Sequence, residues 1–183
     1  MNVYKGVAAG AAGGLVAAFV MNQFQSALGK LMENEERPHG AQSLQQGLPD
    51  HGIGRELAER GVDDPNDNAA VRTANAVSEL AFEHHLTKPE KERAGEAVHY
   101  AFGVSSGAIY GAVSEVMPLA TMCEGTAFGT AVWLLADEAT VPALGLSRNP
   151  TDYPVSTHVY SLASHLVYGL TTELVRRALR RAM

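Results

Sequence analysis

The chain has 183 residues, of which 46% are hydrophobic, 19% charged and 7% aromatic, with a formal net charge of −6. That length suits one domain with a substantial core, and 18 glycines against one tryptophan favour close helix packing over a β-sandwich. The acidic balance, without a basic stripe interleaved with aromatics, excludes a nucleic-acid surface. A single cysteine, Cys123, excludes an internal disulfide and a cysteine-built zinc or iron–sulfur site.

Charge is segregated along the chain. No charged residue occurs from Gly6 to Gly29, from Ala97 to Ser114, from Tyr153 to Thr172 or, over a shorter stretch, from Gly125 to Ala136. Glu33 to Arg93 holds 13 of the 20 acids and 7 of the 14 bases, and with them the whole net charge. A bilayer core needs about 20 mostly apolar helical residues. Three of the runs reach that length, and the fourth does so if Glu124, Asp137 and Glu138 sit near its ends. The expected fold is therefore an all-α, four-span transmembrane helix bundle, with spans at 6–29, 94–117, 124–141 and 154–175. Residues 33–93 form an acidic, partly helical extramembrane excursion between spans one and two. A soluble Ala/Gly-rich bundle is the alternative. A cleaved leader over the first run is disfavoured, because one Lys precedes it and no small-residue cleavage site follows.

In chain order, the first helix carries Gly6, Gly10 and Gly14 at four-residue spacing. Its Gly14, Ala18, Asn22, Gln25 and Gly29 share one face, a polar seam directed into protein. The stretch from Glu33 to Asn66, rich in Gly, Pro, Gln and His, predicts an irregular loop with one helical turn at "GRELAERG". From Asn68 to His85, the stripe Val71, Ala74, Val77, Leu80, Ala81 and His84 predicts an amphipathic helix seated on the domain or the membrane surface. Pro89, with Glu90 and Glu92 behind it, opens a long helix that stops at Pro118. That helix carries Gly103, Gly107 and Gly111. A third helix from Gly125, with Gly129 one turn on, is closed by Pro142 and Gly145. Pro154 opens the fourth, which runs out in "RRALRR".

Four residues make about one turn, so each glycine ladder forms a shallow groove where another backbone can approach. "AAGAAGG" lacks the preceding strand and the Lys-Ser/Thr of a phosphate loop and is no nucleotide site. His84 and His85 have no metalloprotease-type partner and read as surface histidines, and Cys123 has no base in sequence reach.

Antiparallel spans convert sequence position into depth. His99, Asp137, Glu138 and His158 fall in one layer, with His165 about 10 Å deeper at 1.5 Å per residue. Glu115, Glu124 and Glu173 fall in a second acidic layer, beside Arg176 and Arg177. Two readings of the first layer stay open. Its members are helix-end groups at the headgroup level, or they mark a proton path or metal site, since ionisable groups are costly in lipid. No residue is assigned as catalytic or as a metal ligand, and no cofactor is expected.

From His99 onward, "HYAFGVSSGAIYGAVSEVMP", "GTAFGTAVWLLADEATVPALGLSRNP" and "SHLVYGLTTELVRRALR" resemble the YagU-like family of small, uncharacterised bacterial inner-membrane proteins. The resemblance covers about the last 85 residues well and the first helix loosely; it implies a multi-span membrane protein and supplies no reaction. Two functions follow for testing: a non-enzymatic accessory or interaction subunit, or a proton or ion relay through the His/Asp/Glu layer. A membrane enzyme ranks third, because no nucleophile–base pair can be read. The expected partners are the lipid bilayer and other membrane subunits or further copies of the chain, not nucleic acid. Four spans put both termini on one side, and Arg176, Arg177, Arg180 and Arg181 beside the last span favour the cytoplasm.

Overall fold

A computed structural model of the protein describes residues 2–32 and 47–183, so most of the connection expected over 33–66 before Gly47 lies outside the described residues. Among the described residues the chain is helical and carries no strand. The elements are α1 (Val3–Met32), α2 (Gly52–Glu59), α3 (Ala69–Phe82) and α4 (Lys88–Val116), then a 3-10 segment (Pro118–Gly125). After it come α5 (Thr126–Val132), a π-helical segment (Trp133–Thr140), α6 (Val141–Ala143), a 3-10 turn (Pro150–Asp152) and α7 (Val155–Ala182).

Local chemistry sets these limits. Asn68 caps α3 by accepting from the Val71 amide at 3.0 Å. Glu83, left-handed at φ 50°, ends it. The Glu90 carboxylate reaches back to the Thr87 amide at 2.8 Å and fixes the start of α4. Pro118, which has no N–H to donate, stops α4. Among the described residues two stretches are long and apolar enough to cross a bilayer, Val3–Lys30 and Pro118–Ala143. The charge-free runs of α4 and α7, built largely from Gly, Ser, Thr, Tyr and His, are not among them.

The chain forms two compact units. The first comprises Met1–Leu28, Tyr100–Leu134 and Val159–Met183. Here glycine ladders meet in antiparallel register: Gly6 faces Gly111, Gly10 faces Gly107 and Gly14 faces Gly103. A Cβ at Gly107 would lie 2.8 Å from the Gly14 Cα, and one at Gly111 would lie 2.9 Å from the Gly10 Cα. A second glycine seam joins α5 to α7, where a Cβ at Gly169 would lie 2.8 Å from the Gly129 Cα. Such approach is possible only without side chains, and it maximises dispersion contact between backbones. Around these seams Ala17, Met21 and Tyr168 form the buried core, with Phe128 and Val132 packed on it. Phe128 stacks on Tyr110 with ring centroids 4.2 Å apart.

Beyond Met21, Tyr110, Tyr160 and Tyr168, which are buried, the sorting of side chains in this unit departs from that of a water-soluble bundle. Buried positions hold Ala9, Ala17, Ala18, Ser114, Ser164, Thr172, Glu173 and His165. Large apolar side chains point outward, including Leu15, Val16 and Phe19 on α1, Ile109 and Val113 on α4, and Leu170 and Leu174 on α7.

The second unit comprises Gly29–His99 and Leu135–His158, and it is tied by charged hooks on backbone. Arg72 and Asp63 are both fully buried and paired at 3.0 Å. The same guanidinium donates to the carbonyls of Gly47 (2.8 Å) and Leu146 (3.3 Å). Lys91 reaches Asp67 at 2.6 Å and the Val62 carbonyl at 2.7 Å. The acids at 63–67 are therefore satisfied by cations and amides of the chain itself. The α2 N-terminus docks on the loop after α6 through Ile53 N to Leu144 O (3.0 Å) and Gly54 N to Gly145 O (2.9 Å).

The face that α3 turns inward is mixed. Ala74 of the apolar stripe is buried, but Val77 and Leu80 are exposed, while the buried face also holds Arg72, Asn75, Ser78 and Glu79. The helix is positioned by the loop carbonyls and carboxylates that its polar side chains reach. That network, not an apolar surface, decides which face turns inward.

Candidate functional site

Two polar centres emerge, one in each unit. The first is built on the second acidic layer. Glu173, fully buried on α7, accepts from Arg176 Nε at 2.7 Å and Nη2 at 2.9 Å, from Arg177 Nε at 2.5 Å and from the Tyr110 hydroxyl at 2.9 Å. Each carboxylate oxygen thus takes two donors. Arg177 also pairs with Glu124, and Arg180 clamps Glu115 through Nε at 2.6 Å and Nη2 at 3.0 Å. Arg176 lies over the Tyr110 ring, 5.8 Å from its centroid.

Helical spacing explains the assembly. Arg176 and Arg177 sit three and four residues after Glu173, on its face of α7. Glu124 is presented by a turn in which Cys123, Glu124 and Gly125 all adopt positive φ, at 60°, 54° and 84°. Gly125 is required there, since an added Cβ would also meet the Gly169 carbonyl. A carboxylate saturated by four donors has no lone pair free for a metal or a substrate proton. The centre is a structural knot of three acids and three bases.

The second centre contains part of the first expected layer. His158, at the start of α7, places Nδ1 2.7 Å from Glu138 Oε1 and Nε2 3.1 Å from the Pro150 carbonyl oxygen. Glu138 lies in the π-helical segment, where Thr140 Oγ1 donates to the carbonyl of Leu135, five residues back. His99 and Asp137 belong to the same unit, and His165 belongs to the other. His165 is buried and its Nδ1 donates to the Ser161 carbonyl of its own helix at 2.9 Å. Among the described residues no group of three or more His, Cys, Asp and Glu is placed to hold a metal ion.

His51 repeats the His158 arrangement nearer the surface. Its Nδ1 is 2.7 Å from Asp50 Oδ1, and its Nε2 donates to the Pro142 carbonyl at 2.9 Å. The Asp50 carboxylate and the Pro142 carbonyl raise the His51 pKa above its ordinary value, and His51 in turn lowers that of Asp50. At Asp63, burial pushes the carboxyl up against the pull of Arg72. His85 pairs with the buried carboxylate of Glu79.

The ladder residues Gly6, Gly10, Gly14, Gly103, Gly107, Gly111, Gly125 and Gly129 all lie against backbone or side chains of other helices in the first unit. Sequence reasoning missed four participants. Tyr110 completes the Glu173 shell and Arg180 holds Glu115. Gly169 faces the Gly125–Gly129 seam, and Gly13 lies against Thr172. The signal for Gly169 was present: His165, Gly169 and Glu173 recur every four residues on one face.

Residues 73–174, more than half of the chain, match the family model described as a protein of unknown function, DUF1440. The chain belongs to this family. The match begins within α3 and ends one residue past Glu173, so it includes the three acids of the first centre and the His158–Glu138 contact, while Arg176, Arg177 and Arg180 lie beyond it. No curated protein and no solved structure matches the chain. Membership in DUF1440 adds no reaction to the geometry.

Proposed function

We propose that this DUF1440 member is a small multi-span inner-membrane protein that acts as a non-enzymatic accessory or interaction subunit. The observation that carries the reading is the sorting of the first unit, with Phe19, Ile109 and Leu170 outward and Ser164, Thr172 and Glu173 inward. Lipid tails accept such a surface, and water does not. The bilayer-length stretches Val3–Lys30 and Pro118–Ala143 support it. In this reading α4 and α7 are the other two spans, their polar groups turned to the bundle interior. The resemblance to the YagU-like family is compatible with it. Both termini are then cytoplasmic, beside Arg176, Arg177, Arg180 and Arg181. The ladders are occupied inside the bundle, so partners or further copies meet the outer apolar faces.

The test is carbonate extraction of native membranes, then purification in mild detergent. Retention in the membrane and a stoichiometric larger partner or oligomer support the proposal. Release by carbonate overturns the membrane reading, and a lone bundle overturns the subunit reading. The His158–Glu138 contact favours a second reading, proton relay. It requires pH-dependent flux in reconstituted vesicles that Asp137→Asn or His165→Phe abolishes while the fold survives.

A further inference from the structure

The helix α3 turns its charges inward. Its two charged residues, Arg72 and Glu79, are 0% and 6% exposed, whereas Val77, Leu80 and Phe82 are 53%, 58% and 73% exposed. Helical spacing puts Ala70, Thr73, Val77, Leu80 and Ala81 on one face, opposite Arg72 and Glu79. That face carries no charge. Its one hydroxyl, Thr73 Oγ1, donates to the Ala69 carbonyl at 2.8 Å, so the helix satisfies it without water. Such a row suits the boundary between lipid headgroups and acyl chains better than it suits water.

Contacts within the second unit set the level of this helix along α4. A Cβ at Gly95 would lie 2.6 Å from Val71 Cγ2 and 3.3 Å from Val71 Cα. The start of α3 therefore packs on α4 one residue past position 94, where span two begins. Lys91 of α4 holds Asp67, just before α3. Arg72 reaches the Leu146 carbonyl, five residues beyond the end of span three at 141. The connection 83–87 then returns the chain to Lys88, which lies about 9 Å along α4 from position 94. Both ends of α3 thus stay near the level where spans two and three leave the hydrocarbon. Glu83, His84 and His85 are exposed and border the apolar row at its far end.

We propose that α3 is an interfacial helix, with its Val77, Leu80 and Ala81 face seated on the lipid bilayer beside spans two and three. The second unit is then held at the membrane by α3 as well as by the spans that enter it. The inference rests on the membrane reading and goes beyond it, because spans alone leave the unit free to stand clear of the lipid.

The test is tryptophan fluorescence of the full chain in phosphatidylcholine vesicles whose lipids carry bromine either near the headgroup or at mid-chain. Trp133→Phe removes the single native tryptophan, and Leu80→Trp, Phe19→Trp and Glu59→Trp each add one back. All three positions are exposed; Phe19 is the span reference and Glu59 the aqueous one. Leu80→Trp should emit further to the blue than Glu59→Trp and lose most of its emission to bromine near the headgroup, which leaves Glu59→Trp bright. Quenching of Phe19→Trp by mid-chain bromine without quenching of Leu80→Trp overturns the interfacial seat and leaves the membrane reading standing. Blue-shifted but unquenched emission from Leu80→Trp overturns it too, since protein and not lipid then covers the face. If bromine quenches neither, the membrane reading fails and the seat fails with it. Should Trp133→Phe fail to fold, nitroxides on Leu80→Cys and Glu59→Cys in a Cys123→Ser chain decide. The proposal requires more collision with bilayer oxygen at residue 80 than at residue 59, and parity overturns it.

Discussion

The two units hold their helices together by opposite means. In the first, backbone meets backbone along Gly6–Gly14 and Gly103–Gly111, and side chains near the seams are small or hydroxylated. In the second, long charged side chains cross gaps to reach carbonyls, as Arg72 does to Gly47 and Leu146 and Lys91 does to Val62. Where the surroundings give no reward for burying large apolar groups, close dispersion contact and internal hydrogen bonds remain as the cohesive terms. Where water competes for every polar group, a buried guanidinium with a paired carboxylate specifies one loop arrangement at a desolvation cost.

The largest break in this contrast is expected from Gly107→Leu. Its Cβ would already press on the Gly10 carbonyl and the Gly14 Cα, and both obstacles are backbone. Overpacking costs about 1–3 kcal/mol where side chains can yield, and occasionally more; here only backbone could yield, so the loss should exceed about 5 kcal/mol and open the seam. Thermal unfolding in detergent measures it. Gly61→Ala in the second unit is the matching control. Nothing lies within 4 Å of its Cβ, so only the strain of φ +73° remains, about 1 kcal/mol.

Next in size are the charge deletions, one in each unit. Glu173→Gln leaves Arg176 short of its counter-charge in a buried site, and Arg72→Met leaves Asp63 buried without its cation. Each should cost about 3–5 kcal/mol. The two should then diverge with pH. Burial holds the Asp63 carboxyl above its ordinary value of 3.8, so its favourable contribution is complete below 3.8 and is lost as pH rises through the folded-state value. The Arg72→Met deficit should therefore shrink on acidification, as Asp63 takes up a proton. A deficit independent of pH would place the cost in the lost carbonyl bonds instead.

His165→Phe probes the interior of the first unit more gently. The variant loses the Nδ1 bond to Ser161 at a buried position and should lower stability by about 1–3 kcal/mol, read from the same melting curves. Vesicle flux should stay at the parent's background. The smallest effect belongs to His51. Its raised pKa means that its bond contributes fully below the ordinary 6.5 and is lost as pH rises through the folded-state value. The lowered value of Asp50 makes the partner's contribution present above 3.8 and lost on further acidification. A proton NMR titration should place the His51 midpoint above 6.5, and Asp50→Asn should bring it down.

Much of this division was legible in the sequence. Charge-free runs, ladder spacing and the prolines at 118 and 142 located the long helices of the first unit, because those signals are local and periodic. Glu115, Glu124 and Glu173 could be placed together because antiparallel helices convert spacing into depth. The bond from His165 to the Ser161 carbonyl could not be read this way, because a contact four residues back on the same helix leaves no trace in depth. Nor could the seating of α3, since a periodic apolar stripe says where greasy side chains lie but not which face meets its partner. Arg72 makes that choice through carbonyls distant in sequence. The π-helical register of Trp133–Thr140 has no sequence mark beyond Pro142 two residues past its end.

The outward apolar surface of the first unit is tested most directly by spin labels in vesicles. With Cys123→Ser as background, single cysteines replace Phe19, Ile109 and Leu170, which are exposed, and Glu59, which serves as the aqueous reference. Labels at the three apolar sites should be relaxed by oxygen dissolved in the bilayer and shielded from a water-soluble nickel complex, while the label at residue 59 shows the reverse. Collision with the nickel complex at Phe19, Ile109 and Leu170 to the extent seen at residue 59 would mean that water covers this face, and the membrane reading would be wrong.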